Sequence, residues 1–579
     1  MKKGIGVSAG VAEANAYVFR RQTIELPQGC ANDPQEELRR FYASMEAVVE
    51  ETCRLSRKAR SEGNTDSAEI LDAHLTILSD QECVSGPIEQ MIGSDCLYAE
   101  QAVVRHMDAL ADMFSQMDDA YMCARSSDIL ELKNRLLFSL SGVCDIDLSC
   151  LPGPVILVAE ELTPSDTAIW DRQNVRGIIT CFGGRTSHMA IIARNTGIPA
   201  IVGAADAVSE TETGEPLVMD GESGEYACRP AQPLREEFHQ RETQRHQFVL
   251  QAETFRGKAT VSADNFTVDL AANIGSASEA VSAVQADAEG VGLFRSEFLF
   301  IGQSQPPGEE EQYRQYREVL ETMRGKFVIV RTLDIGGDKE APCLKMEPES
   351  NPFLGYRAIR FSLDHPELFK AQLRALLRAG VHGDLKIMIP MISAVEEMQA
   401  VRTLLKECEQ ELEREGIPFR TDIPLGMMVE TPAAAVLAGQ FAKVSDFFSI
   451  GTNDLLQYTV AVDRGNEKIS HLYSFYHPAV LSLIQNTICA ALEAGIPCGM
   501  CGEAAGDPLL VPVLFGMGLQ EFSMSASGIL RTRMLISRLN RPACARLAET
   551  VLRLPSACAV EKSLRLFQKE IEEQQEPLR

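Results

Sequence analysis

Residues 183–194, Gly-Gly-Arg-Thr-Ser-His-Met-Ala-Ile-Ile-Ala-Arg, put a histidine where a phosphoryl group can be held. A β-branched run at 175–180 comes first, and the two glycines then permit a tight turn. Thr186 or Ser187 can cap the helical composition that begins at Met189. His188 thereby falls in a first helical turn, where backbone N–H groups lack intrahelical partners and attract anions. Arg185 adds a permanent positive charge.

A second set of reactive types is spread over the C-terminal half. Arg295, Arg331, Arg464 and Lys339 suit a multiply charged phosphate, because guanidinium forks match its oxygens. Glu430 and Asp454 give two hard oxygen ligands, the kind Mg²⁺ takes beside substrate oxygens and water. Cys501 could be a nucleophile, a metal ligand or a proton donor. Cys498-Gly-Met-Cys501 has no second pair and no histidine partner nearby, which argues against zinc. Cys498 reads as a packing residue.

Strand-like runs at 268–274, 290–295, 327–334, 385–391, 424–430, 446–451, 497–501 and 521–525 position this second set. Helix-forming sequence separates most of them, which predicts a (β/α)8 barrel. The C-terminal strand ends, where such barrels carry their function, then hold Asn273, Arg295, Arg331, Asp334, Glu430, Asn453, Asp454 and Cys501. A salt bridge explains any one of these; their gathering on one rim points to chemistry.

The first half is predicted to be α/β with an insertion. Strand segments before residue 30 and again from Val155 flank helices at 36–60, 67–78, 99–117 and 126–140, a helical bundle. Pro152 and Pro154 mark its end. The polar stretch 234–252 reads as a connecting helix. The expected division is an α/β domain from 1–30 plus 145–230, a helical domain at 31–144, a linker helix at 231–255 and the barrel at 256–579.

A chain of 579 residues is expected to hold several domains. No apolar run is long enough to span a bilayer, and the N-terminus lacks a signal-peptide core. Sixteen scattered cysteines then read as free thiols in a reducing cytoplasm. A net charge of −27 argues against nucleic acid and anionic membranes, and is compatible with a basic protein partner.

Residues 183–194, 290–300, 331–339, 351–360, 429–435, 449–466, 499–503 and 521–525 closely resemble the enzyme I family of the bacterial phosphoenolpyruvate:sugar phosphotransferase system. Phe447-Phe-Ser-Ile-Gly-Thr-Asn-Asp and Asp463-Arg-Gly-Asn are long and specific matches, and the likeness covers nearly the whole chain. It implies that phosphoenolpyruvate phosphorylates His188, which then phosphorylates a histidine of the small carrier HPr. Arg295, Arg331 and Arg464 would bind the substrate phosphate, with Asn453 and Asp454 also on the substrate. Lys339 and Arg357 would line the site. Glu430 and Asp454 would hold Mg²⁺, and Cys501 would protonate the enolate to pyruvate. The helical insertion would dock HPr, its acidic stripe (Asp66, Glu69, Asp72) and His74 offering a receiving face. The barrel would form a homodimer.

Three departures stand out: Ser296 where the family usually has Thr, Cys181-Phe182 before the two glycines, and Ile301-Gly302 in a rim loop. Two related enzymes fit less well. A dikinase needs a nucleotide-binding domain, and no glycine-rich phosphate loop precedes His188. The nitrogen-related paralogue carries an extra N-terminal sensory domain, whereas the first strand is expected at Gly4. A binding module without catalysis would be expected to have lost His188, Glu430, Asp454 or Cys501, and all four are present.

Overall fold

The computed structural model describes the chain except for residues 21–23, 25, 62–64, 116–119, 143–147, 149–150, 163–165, 167–169, 171–173, 185–186, 302, 304, 337–340, 348, 465 and 574–579. Some further side chains also lie outside the described set, those of Asp66, Glu69 and His188 among them. The chain divides into two compact units, Met1–His246 and Gln247–Arg579.

The first unit contains an eight-stranded sheet built from both sides of a helical block. Strands β1 (Lys2–Lys3), β2 (Ile5–Ser8) and β3 (Val11–Phe19) precede that block. Strands β4 (Val155–Ala159), β5 (Val175–Thr180), β6 (Ala200–Val202), β7 (Pro216–Asp220) and β8 (Glu225–Cys228) follow it. Their order is β1-β8-β7-β3-β4-β5-β6-β2. β3 runs parallel to β4, joining chain separated by the whole insertion. The sheet centre reads as an apolar run because both of its faces are covered: all five residues of β4 are buried.

The insertion comprises α1 (Pro34–Ser61), α2 (Thr65–Ser79), α3 (Gly86–Asp95), α4 (Ala99–Ser115) and α5 (Ala120–Ser141). Phe41, Val48, Ile88, Val103, Met107, Leu132 and Leu136 form its separate core. Sequence periodicity misses α3 and the π-turn Gln81–Ser85 before it. A ten-residue helix with glycine at its first position and a glycine and serine near its end carries little periodic signal.

The second unit is a closed barrel of eight parallel strands. These are β9 (Asp269–Ile274), β10 (Gly290–Arg295), β11 (Phe327–Arg331), β12 (Asp384–Ile389), β13 (Leu425–Val429), β14 (Phe448–Ile450), β15 (Cys498–Met500) and β16 (Glu521–Met524). β16 closes on β9 with Phe522 opposite Leu270. Alternation along each strand separates two packings. Residues such as Val328, Val330, Met500 and Phe522 face the helices, while Leu293, Ile329, Met388, Met428, Phe447 and Cys501 form an inner cluster. The predicted third strand is shorter than expected: it ends at Arg331, and Asp334 lies in the loop beyond. Cys498 is buried among the outward-facing residues, consistent with its reading as packing.

Candidate active site

Glycine and a serine cap set up the histidine turn. Strand β5 ends at Thr180, and Gly183 adopts a positive φ of 109°. The helix His188–Thr196 follows, with Ser187 Oγ accepting from the Ala190 N–H at 3.4 Å. Gly197 ends it in the left-handed conformation. Met189, Ile192 and Ala193 bury against Leu157 and Ile178. His188 is the first residue of this helix; its side chain, Arg185 and Thr186 lie outside the described residues. Cys181 is buried beside the turn, whereas Phe182 is exposed.

The barrel rim is a network of buried charges. Arg331, the last residue of β11, pairs with Asp334 at 2.8 Å and with Glu297. Asp334 also holds Arg357 at 2.8 Å, and Arg357 reaches Asp454 at 3.5 Å. All five are buried. Burial opposes the charge on both arginines, but Asp334 and further carboxylates, Glu297 for Arg331 and Asp454 for Arg357, outweigh it and raise both above the ordinary range. Gly336, with φ of 112°, admits the Arg357 backbone: a β-carbon there would collide with the Arg357 side chain.

The two expected metal ligands lie at this same rim. Glu430 follows β13 and accepts from the Met391 N–H at 2.6 Å. Asp454 sits in the first turn of the helix Thr452–Val460. Burial first, then Asp454 and Asp334, push the Glu430 carboxyl well above its usual range. Crowded carboxylates of this kind fit a divalent cation. Among the described residues no group of three or more His, Cys, Asp or Glu forms a metal cage, so a cation would complete its shell with substrate oxygens and water, as Mg²⁺ does.

Arg295, half-buried at the end of β10, has no ion-pair partner among the described residues. The Arg464 guanidinium lies 5.2 Å from the centre of the Phe353 ring, and its backbone N–H is held by Gln457. Asn453 Oδ1 accepts from the Glu503 N–H at 3.3 Å, tying the loop after β14 to that after β15. Cys501 follows β15, 4% exposed. Burial pushes its thiol up to about 11, against the lowering effect of Ser449 and Arg331, so it stays protonated at neutral pH. Lys339 lies outside the described residues.

The structure thus brings Arg331, Arg357, Glu430 and Asp454 into one charged cluster. Sequence reasoning left out Glu297 as the anchor of Arg331 and read Asp334 as a strand end rather than a bridge between two arginines. An acidic residue just past an arginine-bearing strand is the only signal for either. The expected HPr face needs correction. His74 is fully buried, 3.6 Å from Asp128, and is not available to a partner, whereas Asp72 stays part-exposed while bound to Ser56 and Arg60, and the side chains of Asp66 and Glu69 lie outside the described residues.

Three family models cover the chain: the N-terminal segment of PEP-utilising enzymes at 3–125, their mobile domain at 151–224 and their PEP-binding domain at 250–541. These define a PEP-utilising enzyme by class. Phosphoenolpyruvate-protein phosphotransferases of Bacillus sp. (strain S) and Geobacillus stearothermophilus are each 44% identical over 96% of this chain and 96% of their own. That of Bacillus subtilis (strain 168) is 44% identical over 95% and 96%. The chain belongs to the phosphoenolpyruvate-protein phosphotransferase family.

Proposed function

We propose that the chain moves the phosphoryl group of phosphoenolpyruvate to His188 and then to a histidine of the carrier HPr, with release of pyruvate, and that this relay is the first general step of phosphotransferase-system sugar uptake. The observation that carries this is the Arg331–Asp334–Arg357 network. It holds two cations in place before substrate arrives, so little reorganisation is needed as charge spreads over the transferring group.

In this reading Arg295, Arg331 and Arg464 hold the phosphate, Asn453 and Asp454 orient the substrate, and Arg357 and Lys339 complete the cationic wall. Glu430 and Asp454 hold Mg²⁺, which when bound neutralises phosphoryl charge. His188 attacks through neutral Nε2. Cys501 then gives its S–H proton to the enolate carbon. His188 and the rim belong to different units, so this reading requires the histidine to visit the rim and then face HPr; 228–255, which spans the boundary between the units, is the expected hinge, and the other expected hinge, 142–154, falls largely outside the described residues.

The division into residues 1–30 plus 145–230, 31–144, 231–255 and 256–579 follows those roles. The helical block would dock HPr, and the barrel would pair with a second copy through apolar residues such as Leu354, Val436 and Leu437, which are exposed in the single chain. No helix among the described residues is long and apolar enough to cross a membrane. Unpaired thiols at the described cysteines support a cytoplasmic location.

The test is incubation with labelled phosphoenolpyruvate and Mg²⁺, with and without HPr. Acid-labile, base-stable label on His188 that passes to HPr is expected. Absence of label on the wild-type chain would refute the function.

A further inference from the structure

Glu521 opens the last barrel strand and faces inward, since its neighbour Phe522 packs outward against the helices. It is half-buried, and its Oε1 is closed off from solvent without a hydrogen-bond partner among the described residues. A structural barrel would place an apolar side chain here.

Strand register shows what this carboxyl faces. Gly499 of β15 pairs with Ser449 on one side and Glu521 on the other. Having no side chain, Gly499 opens the space between them; a β-carbon there would lie 3.0 Å from the Glu521 carboxyl carbon. Two residues further along the same face stands Cys501, with Ser523 next to it on β16. Gly292 makes room from the other flank: a β-carbon there would collide with both Glu521 Oε1 and Ser523 Oγ. Ser449 is fully buried, and its hydroxyl lies within reach of the Cys501 thiol, whose pKa it lowers. Ser523 Oγ donates to Asn273 Oδ1 at 2.6 Å, and Asn273 Nδ2 donates to the Cys501 carbonyl at 3.0 Å. The opposite wall, Ile329, Met388, Met428 and Phe447, is apolar. A one-sided seam of hydroxyls and glycines therefore runs inside the barrel from Glu521 to Cys501.

We propose that Glu521 is the internal proton source that recharges the Cys501 thiol after each turnover, through the Ser449 and Ser523 hydroxyls. This rests on Cys501 as the proton donor. The Cys501 S–H bond breaks as the enolate C–H bond forms, leaving a thiolate. The Glu521 O–H bond then breaks, each hydroxyl passes one proton on and receives one, and the S–H bond is restored. Water at the N-terminal mouth of the barrel returns a proton to the Glu521 carboxylate. Exposed Asp269 and half-buried Lys386 face that mouth, and Cys498 lies on the adjoining strand. Burial pushes the Glu521 carboxyl up to about 7, with Lys386 lowering and Asp269 raising it, so both of its forms are populated at neutral pH. Glu521 acts through Cys501 and is a positioning and relay residue.

The experiment compares the full-length wild type, Glu521→Gln and Glu521→Asp with Mg²⁺, phosphoenolpyruvate and HPr. It reads first-turnover label on His188 and steady-state pyruvate from pH 6 to 9. Glu521→Gln is expected to lower the steady-state rate about tenfold at pH 6, where the carboxyl holds its proton, with a smaller loss at pH 8.5, where it is largely ionised, and a loss of first-turnover labelling no greater than about twofold. Glu521→Asp, which keeps a carboxyl, should recover part of the rate. Equal losses in both readouts at every pH, or a steady-state profile like that of the wild type, would overturn the relay. A Cys501→Ser control that forms pyruvate at the wild-type rate would overturn it together with the donor assignment. A wild-type chain that takes no label would instead refute the function.

Discussion

At the barrel rim Arg331 and Arg357 share Asp334 at 2.8 Å each, and neither is more than 5% exposed. The His188 turn is organised by a serine cap and a glycine at positive φ. The rim stabilises charge by fixing buried ions that oppose one another, and such a network resists change because removing one member leaves an uncompensated charge. The turn offers a short helix start, which costs little to build and leaves its N–H groups for an incoming anion. In the proposed function, binding power is concentrated in the second unit, and the nucleophile is carried by the first.

The sharpest way to break that contrast is His188→Ala. Self-phosphorylation and transfer should both fall to background, while Mg²⁺-dependent binding of phosphoenolpyruvate, followed by calorimetry, persists in the second unit. Label on the alanine variant would end the assignment.

Next in size is the pair of barrel cysteines. Cys501→Ser should lower steady-state pyruvate formation about a hundredfold, because a hydroxyl is a far weaker acid than a thiol, while one round of His188 labelling survives. Cys498→Ser, altered in the outer packing, should leave turnover per folded molecule near the wild-type rate. Equal damage from both changes would remove the distinction between inner and outer faces of β15.

Asp334→Ala tests the rim as a structural unit. Leaving two buried arginines without their shared carboxylate should cost about 3–5 kcal/mol of the stability of the second unit. Trp170 is the sole tryptophan and lies in the first unit, so its fluorescence follows that unit, while far-UV circular dichroism also follows the barrel. The dichroism transition should move and the fluorescence transition should not.

The smallest effect is on pH. Glu430 and Glu521 are both raised by burial, so each favours its protonated form in the folded chain. Their stabilising contribution is complete below the ordinary carboxyl value of 4.5 and is lost as pH rises through the folded value, about 7 for Glu521. The metal-free barrel should therefore melt lower at pH 8 than at pH 5.5, and Glu430→Gln should flatten that slope. Mg²⁺ added at pH 7 should release a proton from the Glu430 site, measurable by calorimetry in buffers of different ionisation heat.

Legibility in the sequence followed the length scale of each interaction. All eight barrel strands could be read because each is a short apolar run bounded by turns. A cap at Thr186 or Ser187 could be read because capping acts over three residues, and the structure places it at Ser187. Asp334 could be seen as a carboxylate near Arg331, but Arg357 reaches it from another loop, twenty-three residues on, and composition does not encode that meeting. His74 looked like a surface group because its helix carries acidic residues, yet burial is set by which side of that helix the bundle covers.

The sequence by itself determined the kinds of chemistry available, the strand and helix pattern and family membership, since residue types, periodicity and motif spacing are properties of the chain alone. Only the tertiary structure decided which carboxylate holds which arginine, that Cys501 faces inward while Cys498 faces outward, and that Gly499 opens a space between Ser449 and Glu521. Those outcomes depend on barrel closure and strand register, which bring together residues that are distant along the chain and fix the face each presents.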